Sequence, residues 1–300
     1  EYERAVRVHQ HLLSRGDLTQ DDRHRAQHAL ALDYLKAGLL DRAEDALLKL
    51  EGTRFEAQAR LALLANYERS RDWEHAATIA QRLESNGQGS FKGRLSHYLC
   101  EQAATYAAAN NLPQAQASLT QAMHIEPAAP RPRMDLARIQ NLQGMPDLAC
   151  ETLTQALTTA PAAVALIAPL LAQYAIACGQ GPRTLDRLKA VYVRTPSLDV
   201  LDAIVALEAS SGAPTATARE WYAHHLESEP SLVAAAKWIA GEKLEHEQFH
   251  PQVQRALDAA VKPLTRYRCA ACGFEAKQHF WQCPGCQAWD SYPARRVEEL

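Results

Sequence analysis

The sequence is poor in most of what marks a strongly charged or catalytic protein. Its formal net charge is only -3 and its pI is near 6.5. No chain-wide basic field is present, so any nucleic acid would have to be held by a local patch, and none is expected as a partner. Glycine-rich phosphate loops and nucleophile elbows are missing, and the 12 histidines are scattered. No catalytic machinery is visible on that ground, and no enzyme is expected. Cysteine is scarce: seven in 300 residues. That odd number, with two C-x-x-C pairs, fits a reducing compartment with a metal site better than a secreted disulfide framework.

Long apolar runs are rare too. Residues 160–178, "APAAVALIAPLLAQYAIAC", raise the question of a membrane span. Eight of the nineteen residues are alanine and two are proline, which insert weakly or bend a helix. The stretch is expected to be a buried helix, because it also falls in phase with a repeat.

The repeat is what the sequence has in abundance. Pro127, Pro161, Pro196 and Pro230 are separated by 34, 35 and 34 residues, each closing an apolar helical stretch. That is the period of the tetratricopeptide repeat, a helix pair with Leu-small-x-x-Tyr in its first helix and Ala-x-x-x-large-apolar in its second. Leu30, Ala31 and Tyr34 lead to Ala43 and Leu47; Leu63, Leu64 and Tyr67 lead to Ala76. Ala103 and Tyr106 lead to Ala115 and Leu119, and Leu136 and Ala137 to Ala149 and Leu153. Leu170, Leu171 and Tyr174 open a less regular unit, and Ala218 and Tyr222 close another. The small residues let two helices cross closely, and the large ones fill the space between pairs.

From Ala76 to Ala115 the interval stretches to 39 residues, with the surplus in "SNGQGSFKG", a longer connection where the array could bend. "EYERAVRVHQHLL" at the start reads as the second helix of a unit, so the fragment is expected to begin inside a longer protein. The fold expected is an all-α tetratricopeptide-repeat superhelix, an α-solenoid over residues 1–262, followed by a small four-cysteine metal domain over 263–300. By phase in the repeat, Arg25, His28, Lys36, Gln58, Arg69, Arg138 and Asn141 are the candidate partner-binding residues of its concave groove.

The metal domain is argued from "CAACGFEAKQHFWQCPGC". Cys269 with Cys272 and Cys283 with Cys286 make two tight turns, each aiming two thiolates at one point. Gly273 and Pro284-Gly285 are residues that such turns need. Four thiolates on one ion leave no open position for substrate, so the site is structural or, with iron, redox-active. Site chemistry alone favours zinc. "WQCPGC" also suits a thioredoxin-like redox pair, but no βαβ pattern surrounds it. Six of the chain's twenty aromatics, Tyr267, Phe274, Phe280, Trp281, Trp289 and Tyr292, fall in these twenty-six residues. They are expected to wrap the site and dock it on the last repeat helix.

"HEQFH", residues 246–250, matches the H-E-x-x-H pattern of zinc proteases, but Pro251 biases His250 away from helical geometry and puts it in a turn before the next helix. Cys100, Cys150 and Cys178 are isolated in predicted helices and are assigned no chemistry.

The stretches "RVHQHLLSRGDLT", "AGLLDRAED", "HYLCEQA", "RYRCAACGF" and "FWQCPGCQAW" resemble the lipopolysaccharide assembly protein B family, bacterial tetratricopeptide proteins with a rubredoxin-like carboxy-terminal metal domain. The resemblance runs end to end. It implies that Cys269, Cys272, Cys283 and Cys286 bind one metal ion, iron by analogy with rubredoxin. It also implies a non-enzymatic scaffold or adaptor that restrains lipopolysaccharide synthesis. Its protein partners would be a membrane-bound ATP-dependent metalloprotease, the deacetylase that commits precursors to lipid A, and other lipopolysaccharide-assembly proteins. The place implied is the cytoplasmic face of the inner membrane, through an amino-terminal transmembrane helix absent here, this fragment itself being soluble; a homodimer is left open. "HEQFH" is not part of the family pattern. The alternatives are a rubredoxin-like electron carrier and a zinc-ribbon reader of nucleic acid through Arg266, Arg268 and Lys277.

Overall fold

A computed structural model of the chain describes residues 2–240 and 250–300. Among them the chain runs through fifteen α-helices before two short strands. It divides into two compact units, Glu1–Pro127 and Ala128–Leu300. The first holds α1 (Tyr2–Leu13), α2 (Gln20–Ala37), α3 (Leu40–Leu48), α4 (Glu56–Ser70), α5 (Trp73–Ser85), α6 (Lys92–Ala108) and α7 (Leu112–Ile125). The second holds α8 (Pro130–Leu142), α9 (Pro146–Thr159), α10 (Val164–Ala177), α11 (Gly181–Arg194), α12 (Leu198–Ser210), α13 (Thr215–Ser228), α14 (Leu232–Ala240) and α15 (His250–Val261), then β1 (Tyr267–Arg268) and β2 (Glu275–Ala276). Within each unit every helix packs on the next. Each unit is a stack of helix pairs, the second carrying the small four-cysteine domain.

The repeat shows in the backbone. Inside six successive pairs the turn is closed by one residue in the left-handed region: Gly38, Arg71, Asn110, Gly144, Gly179 and Gly212. The residue after it donates its N–H to the carbonyl five positions back, from Leu39 to Tyr34 (2.9 Å), Asp72 to Tyr67 (2.9 Å), Asn111 to Tyr106 (2.8 Å), Met145 to Gln140 (2.9 Å), Gln180 to Ala175 (2.9 Å) and Ala213 to Glu208 (3.0 Å). This is the Schellman closure, which satisfies carbonyls that a helix end leaves orphaned. Between pairs the punctuation is proline: Pro127, Pro161, Pro196 and Pro230 each stand two residues beyond the last residue of α7, α9, α11 and α13. Proline cannot continue the helix, so the chain turns at each of them.

Packing follows the anchors. Ala31, Ala43, Ala76, Ala115, Ala137 and Ala149 have almost no exposed surface, which lets helix axes approach. Tyr34 and Tyr67 reach back to the helix before their own pair, α1 and α3, where the Tyr34 hydroxyl accepts from Gln10 (2.8 Å) and the Tyr67 hydroxyl donates to Glu44 (2.8 Å). Tyr106 breaks the pattern: in phase with both, it is 37% exposed. After the longer connection ahead of α6, the buried tyrosine of that helix is Tyr98, whose hydroxyl donates to Glu68. The two units part at Pro127, not at the glycine-bearing connection.

The apolar run at 160–178 becomes one 3-10 turn, Pro161–Ala163, and α10, whose Ile167, Ala168, Leu171 and Ala175 are fully enclosed in the core of the second unit. No single described helix is long and apolar enough to cross a membrane; α9 and the stretch Pro161–Ala177 pass that test only as a pair bent by 115°. Most of "HEQFH" lies outside the described residues; His250 itself is the first residue of α15, with Pro251 in the first turn where proline is tolerated.

Candidate metal centre

The two C-x-x-C turns are near copies of each other. In the first, the Cys269 N–H donates to the Phe274 carbonyl (2.9 Å) and the Gly273 N–H to the Cys269 carbonyl (2.9 Å). In the second, the Cys283 N–H donates to the Ala288 carbonyl (2.9 Å) and the Gln287 N–H to the Cys283 carbonyl (2.8 Å). The offsets are identical. The position after the second cysteine is left-handed in both, Gly273 at φ 77° and Gln287 at φ 63°. Gly285 lies in the second turn as expected, without being left-handed, and a Cβ there would stand 3.4 Å from the Phe274 Cβ and ring. The first turn grows from β1 and β2, antiparallel with Tyr267 opposite Ala276 and Arg268 opposite Glu275; the second is closed by a bridge between Gln282 and Trp289.

These turns bring all four sulfurs within 4.8 Å of one another. Cys269 and Cys286 are 3.8 Å apart, and Cys272 and Cys283 are 3.7 Å apart. A tetrahedron with metal–sulfur bonds of about 2.3 Å has edges of about 3.8 Å, so the cluster fits one ion. Cys269 and Cys283 are buried while Cys272 and Cys286 are exposed. Burial works against the Cys269 thiolate, yet the Ser291 hydroxyl and the Cys272 and Ala271 amides outweigh it and bring that thiol down to about 6. Cys283 is lowered in the same way, against burial, by the amides of Cys286 and Gly285. Cys272 is shifted the other way, up to about 12: against the Phe274 amide, burial and the neighbouring thiols Cys286, Cys269 and Cys283 raise it. The pull toward thiolate, the form a metal binds, thus falls on the two buried sulfurs.

A small wrapping surrounds the cluster. The Ser291 hydroxyl stands 3.2 Å from Cys269 Sγ, and the Tyr292 hydroxyl donates to the Phe274 carbonyl at 3.1 Å. His279 packs edge-on against Tyr267 (5.6 Å), Trp281 (4.6 Å) and Tyr292 (6.0 Å). Of the six aromatics, Tyr267 and Tyr292 are buried, Phe280, Trp281 and Trp289 half-buried, and Phe274 45% exposed. The seat is wider than the last repeat helix. Leu166 in α10 packs against the cysteine cluster, Leu264, Trp281 and Ala294 pack on the core of the second unit, and hydrogen bonds reach the first turns of α12 and α14.

Those hydrogen bonds come from the last six residues. Arg296 grips Asp199 through Nη2 to Oδ1 (2.9 Å) and Nε to Oδ2 (3.0 Å), donates to the Thr265 carbonyl (2.7 Å), and lies 4.3 Å above the Tyr267 ring. Glu299 accepts the Leu198 N–H at the start of α12 (2.8 Å). Glu298 accepts the Leu232 and Val233 N–H groups at the start of α14 (2.6 and 3.0 Å) and the Ser231 hydroxyl (2.8 Å). Helix amino termini expose unpaired N–H groups and positive dipole ends, which two carboxylates suit. Ser197, the residue ahead of α12, makes no side-chain cap of its own, so Glu299 supplies it from 101 residues away in sequence. Neither this clasp nor Ser291 carries a sequence signal, since their partners are fixed only by the fold.

The seven groove candidates stand on the first helices of their pairs: Arg25, His28 and Lys36 on α2, Gln58 and Arg69 on α4, Arg138 and Asn141 on α8. Five belong to the first unit and two to the second. Arg25 pairs with Asp22 (3.7 Å) and Arg138 with Asp135 (2.5 Å), while Arg69 donates to the Leu35 carbonyl. His28 is half-buried, stacks on Phe55 at 5.8 Å and is lowered from 6.5 by burial. Lys36 and Gln58 are exposed and Asn141 is half-buried. In the metal domain, Arg266 and Arg268 both face Glu275, at 3.6 and 2.8 Å, which takes up two of the three cations of the nucleic-acid alternative.

A stack of helix pairs ending in a four-thiol domain seated on helix ends defines a class, the repeat scaffold with an appended metal-binding module. Residues 267–292 match the LapB zinc-ribbon family, described as a rubredoxin metal binding domain. Across the whole chain, 27% of residues are identical to lipopolysaccharide assembly protein B of Escherichia coli K12, covering 79% of that protein. Identity to lipopolysaccharide assembly protein B of Haemophilus influenzae is 24% over 97% of this chain and 74% of that protein. The likeness to lipopolysaccharide assembly protein B runs over the entire chain, and the family model falls on the metal domain alone. Among solved structures, a chain of the Naa15/Naa10 complex is similar over 88% of this chain and 40% of its own, with 15% identity and a TM-score of 0.49.

Proposed function

We propose that the chain is a non-enzymatic adaptor in lipopolysaccharide biosynthesis, acting at the cytoplasmic face of the inner membrane. In this reading it hands the deacetylase that commits precursors to lipid A to a membrane-bound ATP-dependent metalloprotease. The repeat array of residues 1–262 supplies the docking faces, with Arg25, His28, Lys36, Gln58, Arg69, Arg138 and Asn141 as contact residues. Residues 263–300 form the metal module, with Cys269, Cys272, Cys283 and Cys286 as ligands to zinc by donor chemistry or iron by family likeness. The observation that carries the reading is the likeness to lipopolysaccharide assembly protein B over the entire chain, array and metal module together. Helix-pair stacks present extended surfaces to protein partners, which is the physics an adaptor needs.

The test is a degradation assay in membranes holding the protease and the deacetylase. Deacetylase half-life is followed with the intact chain, with Cys283→Ser, and with Arg25, Lys36 and Arg69 reversed in charge together. The reading expects rapid loss with the intact chain and slow loss with either variant. An unchanged half-life with and without the intact chain removes the adaptor role; unchanged capture by the charge-reversed chain removes the contact assignment.

A further inference from the structure

Cys150 and Cys178 lie 28 residues apart in sequence, and nothing in their spacing couples them. The fold does. Cys150 sits in the second turn of α9, 1% exposed, and Cys178 caps the carboxyl end of α10, half-buried. Their sulfurs are 3.6 Å apart. A disulfide needs about 2.05 Å between sulfurs, so closure asks for about 1.5 Å of approach, within reach of side-chain rotation and a small helix shift.

We propose that Cys150 and Cys178 form an oxidant-responsive dithiol, which a hydroperoxide converts to a disulfide tying the start of α9 to the end of α10. The half-buried Cys178 is the entry point. Its thiolate attacks one peroxide oxygen; an S–O bond forms, the O–O bond breaks, and the second oxygen leaves with a proton as water or an alcohol. Cys178 is now a sulfenic acid, oxidised by two electrons, and the peroxide is reduced. Cys150 then attacks the Cys178 sulfur; the S–S bond forms, the S–O bond breaks, and hydroxide departs as water with the Cys150 thiol proton. Burial pushes the Cys150 thiol up to about 12, so Cys150 is not the thiol that meets the peroxide, and in the second step it attacks as its proton passes to the departing hydroxide. The closed loop spans the α9–α10 connection and its proline at 161. Cross-linking a loop of that size removes freedom from the unfolded chain, so melting shifts up by roughly 5 °C.

The experiment uses the whole chain loaded with zinc, treated with graded hydrogen peroxide, then alkylated in denaturant. Cleavage after glutamate at Glu151 separates the two cysteines onto different peptides. The expected result is a disulfide-linked peptide pair carrying Cys150 and Cys178. It rises with dose, falls with dithiothreitol, and is absent when the chain is oxidised in urea. In Cys150→Ser, Cys178 is trapped as a dimedone adduct; in Cys178→Ser, Cys150 stays alkylatable. The proposal is overturned if Cys178 passes to sulfinic acid without a linked pair in the unsubstituted chain. It is also overturned if Cys150 links to another cysteine, or if both thiols stay fully alkylatable at every peroxide dose.

Discussion

Within the second unit, the helix stack and the metal domain are held by opposite strategies. The stack spreads its stability over many apolar contacts, with Ile167, Leu171, Leu188, Leu201 and Ile204 all fully enclosed. The metal domain has five buried residues of its own, Tyr267, Cys269, Cys283, Ser291 and Tyr292, and two of these are candidate ligands. Two strands of two residues each cannot supply a core. What the packed stack obtains from area, the small domain must obtain from one ion and from a clasp on two helix ends. Damage should therefore be graded in one region and all-or-none in the other.

Removing the metal should have the largest effect. Chelation, or Cys283→Ser, is expected to take away on the order of 10 kcal/mol of folding free energy from the domain. Limited proteolysis should then cut between residues 263 and 300 while far-ultraviolet dichroism of the helices barely changes. Continued protection of that segment would break the comparison. Next in size is Leu201→Ala, a cavity in the stack expected to lower unfolding free energy by about 3 kcal/mol in a denaturant titration, with the metal content of the chain unchanged. A loss of metal in that variant would show that the two regions do not fail separately.

Asp199→Asn comes third. The carboxylate is nearly enclosed and faces the half-buried Arg296, so leaving the guanidinium without its charge partner should cost about 2 kcal/mol. It is expected to loosen the clasp, read as faster hydrogen exchange in residues 263–300, without lowering the metal content. Exchange rates equal to those of the unsubstituted chain would assign the domain's seating to the ion alone. The smallest effect concerns His225, buried with its Nδ1 2.6 Å from the Tyr192 hydroxyl. Burial holds its pKa below 6.5, against the pull of Glu299, Glu229, Glu298 and Asp202. A depressed histidine stabilises fully above 6.5, and the contribution is lost as pH falls toward the folded value. Stability measured from pH 7 to 5 should decline by under about 1 kcal/mol on this account, and His225→Phe should flatten that part of the curve. A slope unchanged by the substitution would remove His225 from the account.

Much of this is legible in the residues. The proline period locates the ends of α7, α9, α11 and α13, because proline acts through its own backbone and needs no tertiary partner. The paired C-x-x-C turns are equally local, each closed by hydrogen bonds within six residues. Legibility stops where a partner is far away in the chain. Tyr106 matches the repeat phase and still faces outward, since phase says nothing of what stands opposite. Cys150 and Cys178 read as isolated side chains because their contact crosses two helices.

The residues by themselves determined the helix pairs, their left-handed turns and the two thiol turns, all of which are consequences of backbone chemistry over fewer than about 35 positions. Only the tertiary structure decided where the small domain rests, that Glu298 and Glu299 cap α14 and α12, and which thiols outside the metal centre meet. The reason is physical: an orphaned helix N–H takes whatever carboxylate the fold delivers, and a sulfur takes whatever neighbour packing provides, so neither preference is written into local spacing.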